Sequence, residues 1–379
     1  MTEHWDPAEA ESSTAKASDP REPTLKSTTS LLPEDTAKWD NFVKSHARGS
    51  IYHLSGWAGA LEAAFPHIKS RILTVVDDHP SDISAGLPIF LSKNLFGRTK
   101  LMIIPFALHG DVLASSEENI SLLYDKVLEI YRQVSASKVE IRSSHPQPYL
   151  GKIGYEHSSN YTHQYLSLDC DPEVLKSNFH KKGVQVPIRK ALESPIELRK
   201  GNSISDLMDF YNILCASRRR VGLPRIPLLF FTSLLDNFDS NKHIDILIAK
   251  YKGIPIGASL LLKFKDEAII EYGGDLVEYR KFYTNHFLDW SAVKLAYEAG
   301  FKILSFGRTS EKNSGLVVYK NRWGTKTERL HIYRLSKQGK IGGSSREESK
   351  FYSATRKILQ KCPDVLYRNL SKIIYKQIQ

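Results

Sequence analysis

Three short stretches hold the residues best suited to handling a reacting carbonyl. They are Tyr272-Gly273-Gly274-Asp275, Phe306-Gly307-Arg308 and Tyr319-Lys320-Asn321-Arg322-Trp323-Gly324. A phenol and an ammonium can donate to an oxyanion as it forms, and a phenol can also shuttle a proton. A carboxylate such as Asp275 can take the proton of an attacking amine. Lys320, Tyr272 and Asp275 are therefore the candidate catalytic set. Arg308, at the end of a strand, offers a planar fork for phosphate or carboxylate. Each group also has a plain structural reading. Gly273-Gly274 can be an ordinary turn, Tyr272 a sheet aromatic, Arg308 a partner of Asp275, Lys320 an exposed lysine and Trp323 core. A second basic grouping, Arg218-Arg219-Arg220 with Arg225, sits at a helix end before Gly222 and Pro224. It could grip a polyanion or simply complement the helix dipole.

Sharper signatures are missing. The sequence has no GxGxxG, GxxxxGK[ST], GxSxG or HExxH. His67, His79 and His145 lack metal-ligand spacing. Cys170, Cys215 and Cys362 form no CxxC pair, so no metal site and no disulfide framework is expected. The expected compartment is a reducing cytoplasm.

The elements that must position these groups can be read from periodicity. Helices are expected over 34–47, 55–65 and 117–134, the last with a capping box from Ser115 to Glu118. Strands are expected over 71–76, 85–91, 100–108 and 138–142, with 163–169 closing this first unit. The order then repeats: helix 204–220, strands 243–251, 256–264 and 268–272, helix 285–299 ended by Gly300, and strand 302–306. A short helix follows at 314–324.

The repetition extends to single residues. Asp111 after the third strand of unit one mirrors Asp275 in unit two, and Arg142 mirrors Arg308 at the end of the next strand. Gly86 likewise corresponds to Gly257. Such self-similarity points to a duplicated domain with mixed sheets rather than a βαβ Rossmann repeat. The expected divisions are a disordered segment 1–33, a domain 34–170, a domain 171–340 bearing the site, and a basic amphipathic helical tail 341–379.

The net charge of +11 favours an anionic partner such as a nucleotide, tRNA, CoA, a lipid pyrophosphate or an anionic membrane face. In the tail, Leu366, Leu370, Ile373, Ile374 and Ile378 fall on one face, with Arg368, Lys372 and Lys376 on another. Such a helix either packs on its own domain or lies on a membrane surface at the inner face of the plasma membrane.

The stretch from Tyr272-Gly273-Gly274-Asp275 through Tyr279-Arg280, Asn285, Trp290, Phe306-Gly307-Arg308, Tyr319-Lys320 and Trp323-Gly324 resembles the FemAB-like branch of the GNAT acyltransferase superfamily. The segment from Arg218 to Pro224 followed by Phe230-Phe231 is similar to a helix–loop segment of that family. The resemblance covers roughly residues 35–335. It implies an α/β fold of two tandem GNAT-like domains. It also implies transfer of an acyl or aminoacyl group to an amine of a cell-envelope or polysaccharide precursor, with no metal. Lys320 matches the lysine of the family motif. Arg308, Arg218, Arg220, Arg225, Arg280, Asn285 and Trp323 become the expected substrate-binding set. The donor stays open between acyl-CoA and aminoacyl-tRNA. No glycine-rich pyrophosphate cradle follows the third strand of either unit, and no coiled-coil arm for tRNA is present. Ser305 stands where the family often has an acid, Tyr319 where it has Phe, and Thr284 where it has Pro. The acid's loss keeps a non-catalytic scaffold or binding role in a polysaccharide assembly system as the alternative.

Overall fold

In the computed structural model, the structure describes residues 24–27, 33–76, 83–337 and 350–378. The first half runs β1 (Thr24–Ser27), α1 (Pro33–Ser45), α2 (Ser55–Ala64), β2 (Ile68–Val76), β3 (Ile83–Lys93), β4 (Thr99–Ile103), β5 (Leu113–Ala114), α3 (Glu117–Gln133), β6 (Lys138–Ser143), α4 (Pro148–Lys152) and β7 (Glu156–Ser167). A connecting stretch holds α5 (Pro172–Ser177) and α6 (Val186–Leu192). The second half runs β8 (Ile196–Gly201), α7 (Ile204–Arg220), α8 (Leu228–Asn237), α9 (Ser240–His243), β9 (Ile244–Tyr251), β10 (Ile254–Phe264), β11 (Glu267–Asp275), α10 (Thr284–Glu298), β12 (Ile303–Ser310), α11 (Ser314–Asn321) and β13 (Lys326–Ser336). The helices α12 (Lys350–Lys361) and α13 (Asp364–Ile378) form the tail.

The strands make one continuous sheet, in the order β1-β2-β3-β4-β6-β13-β7-β12-β11-β10-β9-β8, with β5 beside β3. Its only parallel pairings among the described residues are β4 with β6 and β11 with β12. Each covers three residue pairs and each is bridged by a helix, α3 or α10, as a crossover requires. This matching irregularity in the two halves is the structural counterpart of the internal repeat.

β7 does not close the first unit as expected. It pairs with β12 on one side and β13 on the other, while β13 pairs with β6. Each half thus lends its last strand to the other, and the two halves share the middle of the sheet. Local periodicity fixes where a strand lies in the chain but not its neighbours, so this exchange left no mark in the pattern.

Three smaller expectations change. The strand expected over 100–108 stops at Ile103, because Ile104 and Phe106 take positive φ (37° and 66°) on either side of Pro105, which has no N–H for the ladder. The cap of α3 is Ser116, whose hydroxyl accepts from the Asn119 N–H, rather than Ser115 with Glu118. The stretch expected to be disordered falls almost entirely outside the described residues. Within it, Thr24–Ser27 forms an edge strand on β2.

Two apolar cores pack against the sheet. One gathers Trp39, Trp57, Phe90, Tyr124, Phe210, Phe230 and Phe231 from both halves. The other gathers Val184, Leu247, Trp290, Leu304 and Trp323 under α6, α10 and α11. Burying side chains of this size contributes roughly 1.5–3 kcal/mol each, the main force that fixes the two helical layers.

Candidate active site

The site forms where β11 and β12 part. Their pairing ends at Ile269 and Ser305, and two local defects then shape the gap. On β11, Tyr272 faces Leu260 and Ile270 faces Leu261, so Glu271 is an extra, unpaired residue. Such a bulge re-aims side chains. On β12, the pairing with β7 breaks between Ser305 and Arg308, where Gly307 takes φ 70°. Only glycine adopts that backbone without strain.

Lys320 fastens the second defect. It lies on α11, started by Asn313, whose side chain accepts from the Leu316 N–H. The buried ammonium donates to the Phe306 and Gly307 carbonyls, the latter at 3.0 Å. An ammonium has three N–H donors, so one remains for a ligand. Burial lowers the Lys320 pKa to about 8, against the pull of Asp289 and Glu271. Asp289, on α10, accepts from the Tyr319 hydroxyl at 2.5 Å, and burial raises its carboxyl to about 6.

Glu271 faces Lys320 and Arg308 electrostatically. Burial raises its pKa to about 7, while the Tyr52 hydroxyl, Arg308 and Lys320 pull the other way. Tyr52 donates a short hydrogen bond to its Oε2. The Tyr52 ring is held edge-on to Trp57 at 4.9 Å. The carboxylate therefore comes from the second half and its hydrogen-bond donor from the first. A carboxyl near 7 beside a lysine near 8 is the pairing that acid–base chemistry at neutral pH requires.

Arg308 supplies an anchor. Its guanidinium lies 4.8 Å over the Tyr161 ring. Unlike Arg142, Arg220, Arg280 and Arg334, it makes no ion pair among the described residues. Burial, followed by the repulsion of Arg142, lowers its pKa to about 10. The equivalent arginine of the first half, Arg142, is taken by Glu140 at 2.9 Å. Only the second-half guanidinium is thus left for an external anion.

The floor below is polar. His163 is 2.8 Å from the Ser305 hydroxyl and 3.9 Å from Glu267. Burial lowers His163 to about 3, so its ring is neutral, and burial raises Glu267 above the usual range. Opposite, Asp111 holds His109 at 2.8 Å and accepts from the Ser143 and Ser144 hydroxyls at 2.5 and 2.6 Å. Burial opposes ionisation of Asp111, but these partners outweigh it and hold its carboxyl well below the usual range.

Most of the other expected site residues have structural partners. The Tyr272 ring packs edge-on to Phe230 and Phe231, at 6.3 and 5.3 Å, and its hydroxyl lies in the field of Arg218. It does not converge with Lys320, because the bulge turns Glu271 into that position. Asp275 is buried between Arg220 at 3.0 Å and Arg280 at 3.4 Å, which leaves it poorly placed as a base and separates it from Arg308. Arg218 donates to the Pro224 carbonyl and the Tyr375 hydroxyl, and Arg225 to the Tyr211 hydroxyl. Both therefore hold the chain together rather than grip a substrate. Trp323 is fully buried against Phe179, His286 and Phe306, so it is core. Asn285 is exposed at the start of α10. Of the expected groups, Lys320 and Arg308 meet at the seam. Glu271, Tyr52, Asp289 and His163 join them without having been singled out. The available signal was Glu271 itself, a carboxylate set between Ile270 and Tyr272 in the otherwise apolar run 268–272.

Among the described residues, no cluster of His, Cys, Asp and Glu could hold a metal ion, and no helix is long and apolar enough to cross a membrane.

Residues 181–321 match the family described as acetyltransferase (GNAT) domain. That span includes Glu271, Asp289, Arg308 and Lys320. Over 87 residues the chain is 33% identical to the lipid II:glycine glycyltransferase of Staphylococcus haemolyticus (strain JCSC1435), a match covering 21% of each chain. The chain thus spans about a fifth of the length of that curated relative. Among solved structures it resembles FemX, with a TM-score of 0.65 at 16% identity over 81% of this chain and 96% of that one. It also resembles a tandem GNAT protein from the clavulanic acid biosynthesis pathway, with a TM-score of 0.52 at 14% identity over 86% of this chain and 100% of that one. Residues 181–321 are therefore similar to a GNAT acetyltransferase domain, and the chain as a whole has the tandem mixed-sheet fold that FemX shares.

Proposed function

We propose that this protein transfers an acyl or aminoacyl group to an amine of a cell-envelope precursor, with the chemistry at the β11–β12 seam. One observation carries the reading: where β11 and β12 part, Glu271 on the β11 bulge lies within electrostatic reach of both the Lys320 ammonium, which is held on the Phe306 and Gly307 carbonyls, and the Arg308 guanidinium. Near neutral pH the carboxyl can accept a proton while the ammonium still carries one.

The acceptor amine attacks the donor carbonyl, forming a C–N bond and an oxyanion. The free N–H of Lys320 stabilises that oxyanion. Glu271 takes the proton released by the nitrogen and returns it to the leaving oxygen or sulfur as the C–O or C–S bond breaks. Tyr52 orients the carboxyl. Arg308 binds an anionic part of donor or acceptor.

The local likeness to a lipid II:glycine glycyltransferase favours a lipid-linked peptide precursor as acceptor and an aminoacyl-tRNA as donor. Acyl-CoA is the competing donor. Offering both donors with such an acceptor, and weighing the acceptor by mass spectrometry, tests the reading. Gain of an aminoacyl group from the tRNA supports it, and no gain from either donor overturns it.

A further inference from the structure

The tail supplies a surface that the transfer chemistry does not use. Its inner side is firmly docked. Tyr367 donates to the Leu223 carbonyl at 2.9 Å, and the Ser371 hydroxyl accepts from the Arg225 N–H at 2.9 Å. Tyr375 packs against Phe65 and Phe106 at 5.3 and 5.9 Å, and Arg356 donates to the Val221 carbonyl. Residues 367, 370, 371, 374 and 375 thus form the inward stripe of α13. The apolar face expected from the sequence is therefore split, for Leu366 and Ile373 point outward.

That outer side is unusual for a docked helix. Leu366 and Ile373, two turns apart, are 46% and 49% exposed, and Val365 and Ile358 are 71% and 53% exposed. Around them stand exposed Lys357, Lys361, Lys372 and Lys376. Asp364, the one acid of α12 and α13, is already paired with Arg368 at 2.9 Å. Aliphatic groups set among unpaired lysines fit a bilayer interface, where the chains enter the headgroup boundary and the ammoniums meet lipid phosphates. The core of a protein interface is instead depleted of lysine.

We infer that the outer face of α12 and α13 is a docking surface for an anionic phospholipid membrane. The loop it covers begins just after Arg220, which pairs with Asp275 at the end of β11, so docking would hold the seam side of the fold to the bilayer. The inference goes beyond the transfer reading, and its test uses neither donor nor acceptor.

The test is sedimentation of the full chain with vesicles of phosphatidylcholine alone or containing 30% phosphatidylglycerol. Binding is expected only to the anionic vesicles. Lys372→Gln with Lys376→Gln is expected to weaken it about 25-fold, about fivefold per charge. Leu366→Ser with Ile373→Ser should also weaken it, with the melting temperature unchanged because both side chains are exposed. Equal binding to neutral vesicles, no binding to anionic ones, or full binding by both double variants would overturn the inference. So would self-association through this face, seen as a dimer that the Leu366→Ser/Ile373→Ser variant abolishes.

Discussion

Replacing Glu271 with glutamine is expected to stabilise the protein and disable it at once. In the folded chain the carboxyl has a pKa of about 7 against an ordinary value of 4.5, with burial the first cause. A folded-state pKa raised above the unfolded value means that the native protein holds a proton which the unfolded chain has released. Stability therefore falls as pH rises from about 4.5 and levels off above about 7. At about 1.4 kcal/mol per unit, ionising Glu271 in place costs roughly 3 kcal/mol at pH 8, of which roughly 2 kcal/mol accrues between pH 5.5 and 8. Glutamine keeps an acceptor for the Tyr52 hydroxyl and never ionises. Urea denaturation of wild type and Glu271→Gln at pH 5.5 and pH 8 measures the difference directly. The variant's advantage should grow by roughly 2 kcal/mol over that interval, while transfer falls by two orders of magnitude or more. An advantage that does not change with pH would refute the burial argument. Normal transfer by the variant would refute the role of base.

The pH dependence of kcat/KM should be bell-shaped, with limbs near the values of about 7 and about 8 that the Glu271–Lys320 pair shows, and Glu271→Gln should remove the acidic limb. Arg308→Met should raise KM ten- to a hundredfold with a smaller change in kcat, as loss of a charge-assisted hydrogen bond to an anion predicts; steady-state kinetics with varied acceptor and varied donor would also show which of them it binds. Trp323→Ala should cost about 3–5 kcal/mol in denaturant titrations, as a fully buried indole does, rather than act on substrate affinity alone.

The amphipathic and alternating elements were legible because burial imposes a period on the chain. α7 and α10 lie within a residue or two of their expected bounds, and Gly300 ends α10 with φ 81°. Of the mirrored pair, Asp275 ends β11 while Asp111 lies in the loop between β4 and β5, and one binds two arginines while the other binds serines and a histidine. The repeat revealed the shared scaffold but not this divergence of partners. α8, apolar over most of its length, gave no period to read. Arg308 was readable as a charged residue after Gly307, and Lys320 as the cation of the short stretch that ends at Trp323-Gly324. Tyr52 was not, since it meets Glu271 across 219 positions of sequence. The arginines of α7 looked like an anion site because the helices that occupy them, α12 and α13, lie more than a hundred residues away.

The central claim is that Lys320 stabilises the oxyanion of a group in transfer. Its most direct test is single-turnover transfer from aminoacyl-tRNA or acyl-CoA to a lipid-linked peptide acceptor, followed by mass spectrometry, for wild type and Lys320→Ala at matched folding. The predicted result is an acceptor gaining one acyl or aminoacyl mass with wild type, at a rate that Lys320→Ala lowers by about a hundred- to a thousandfold. An unchanged rate in a folded Lys320→Ala variant would contradict it.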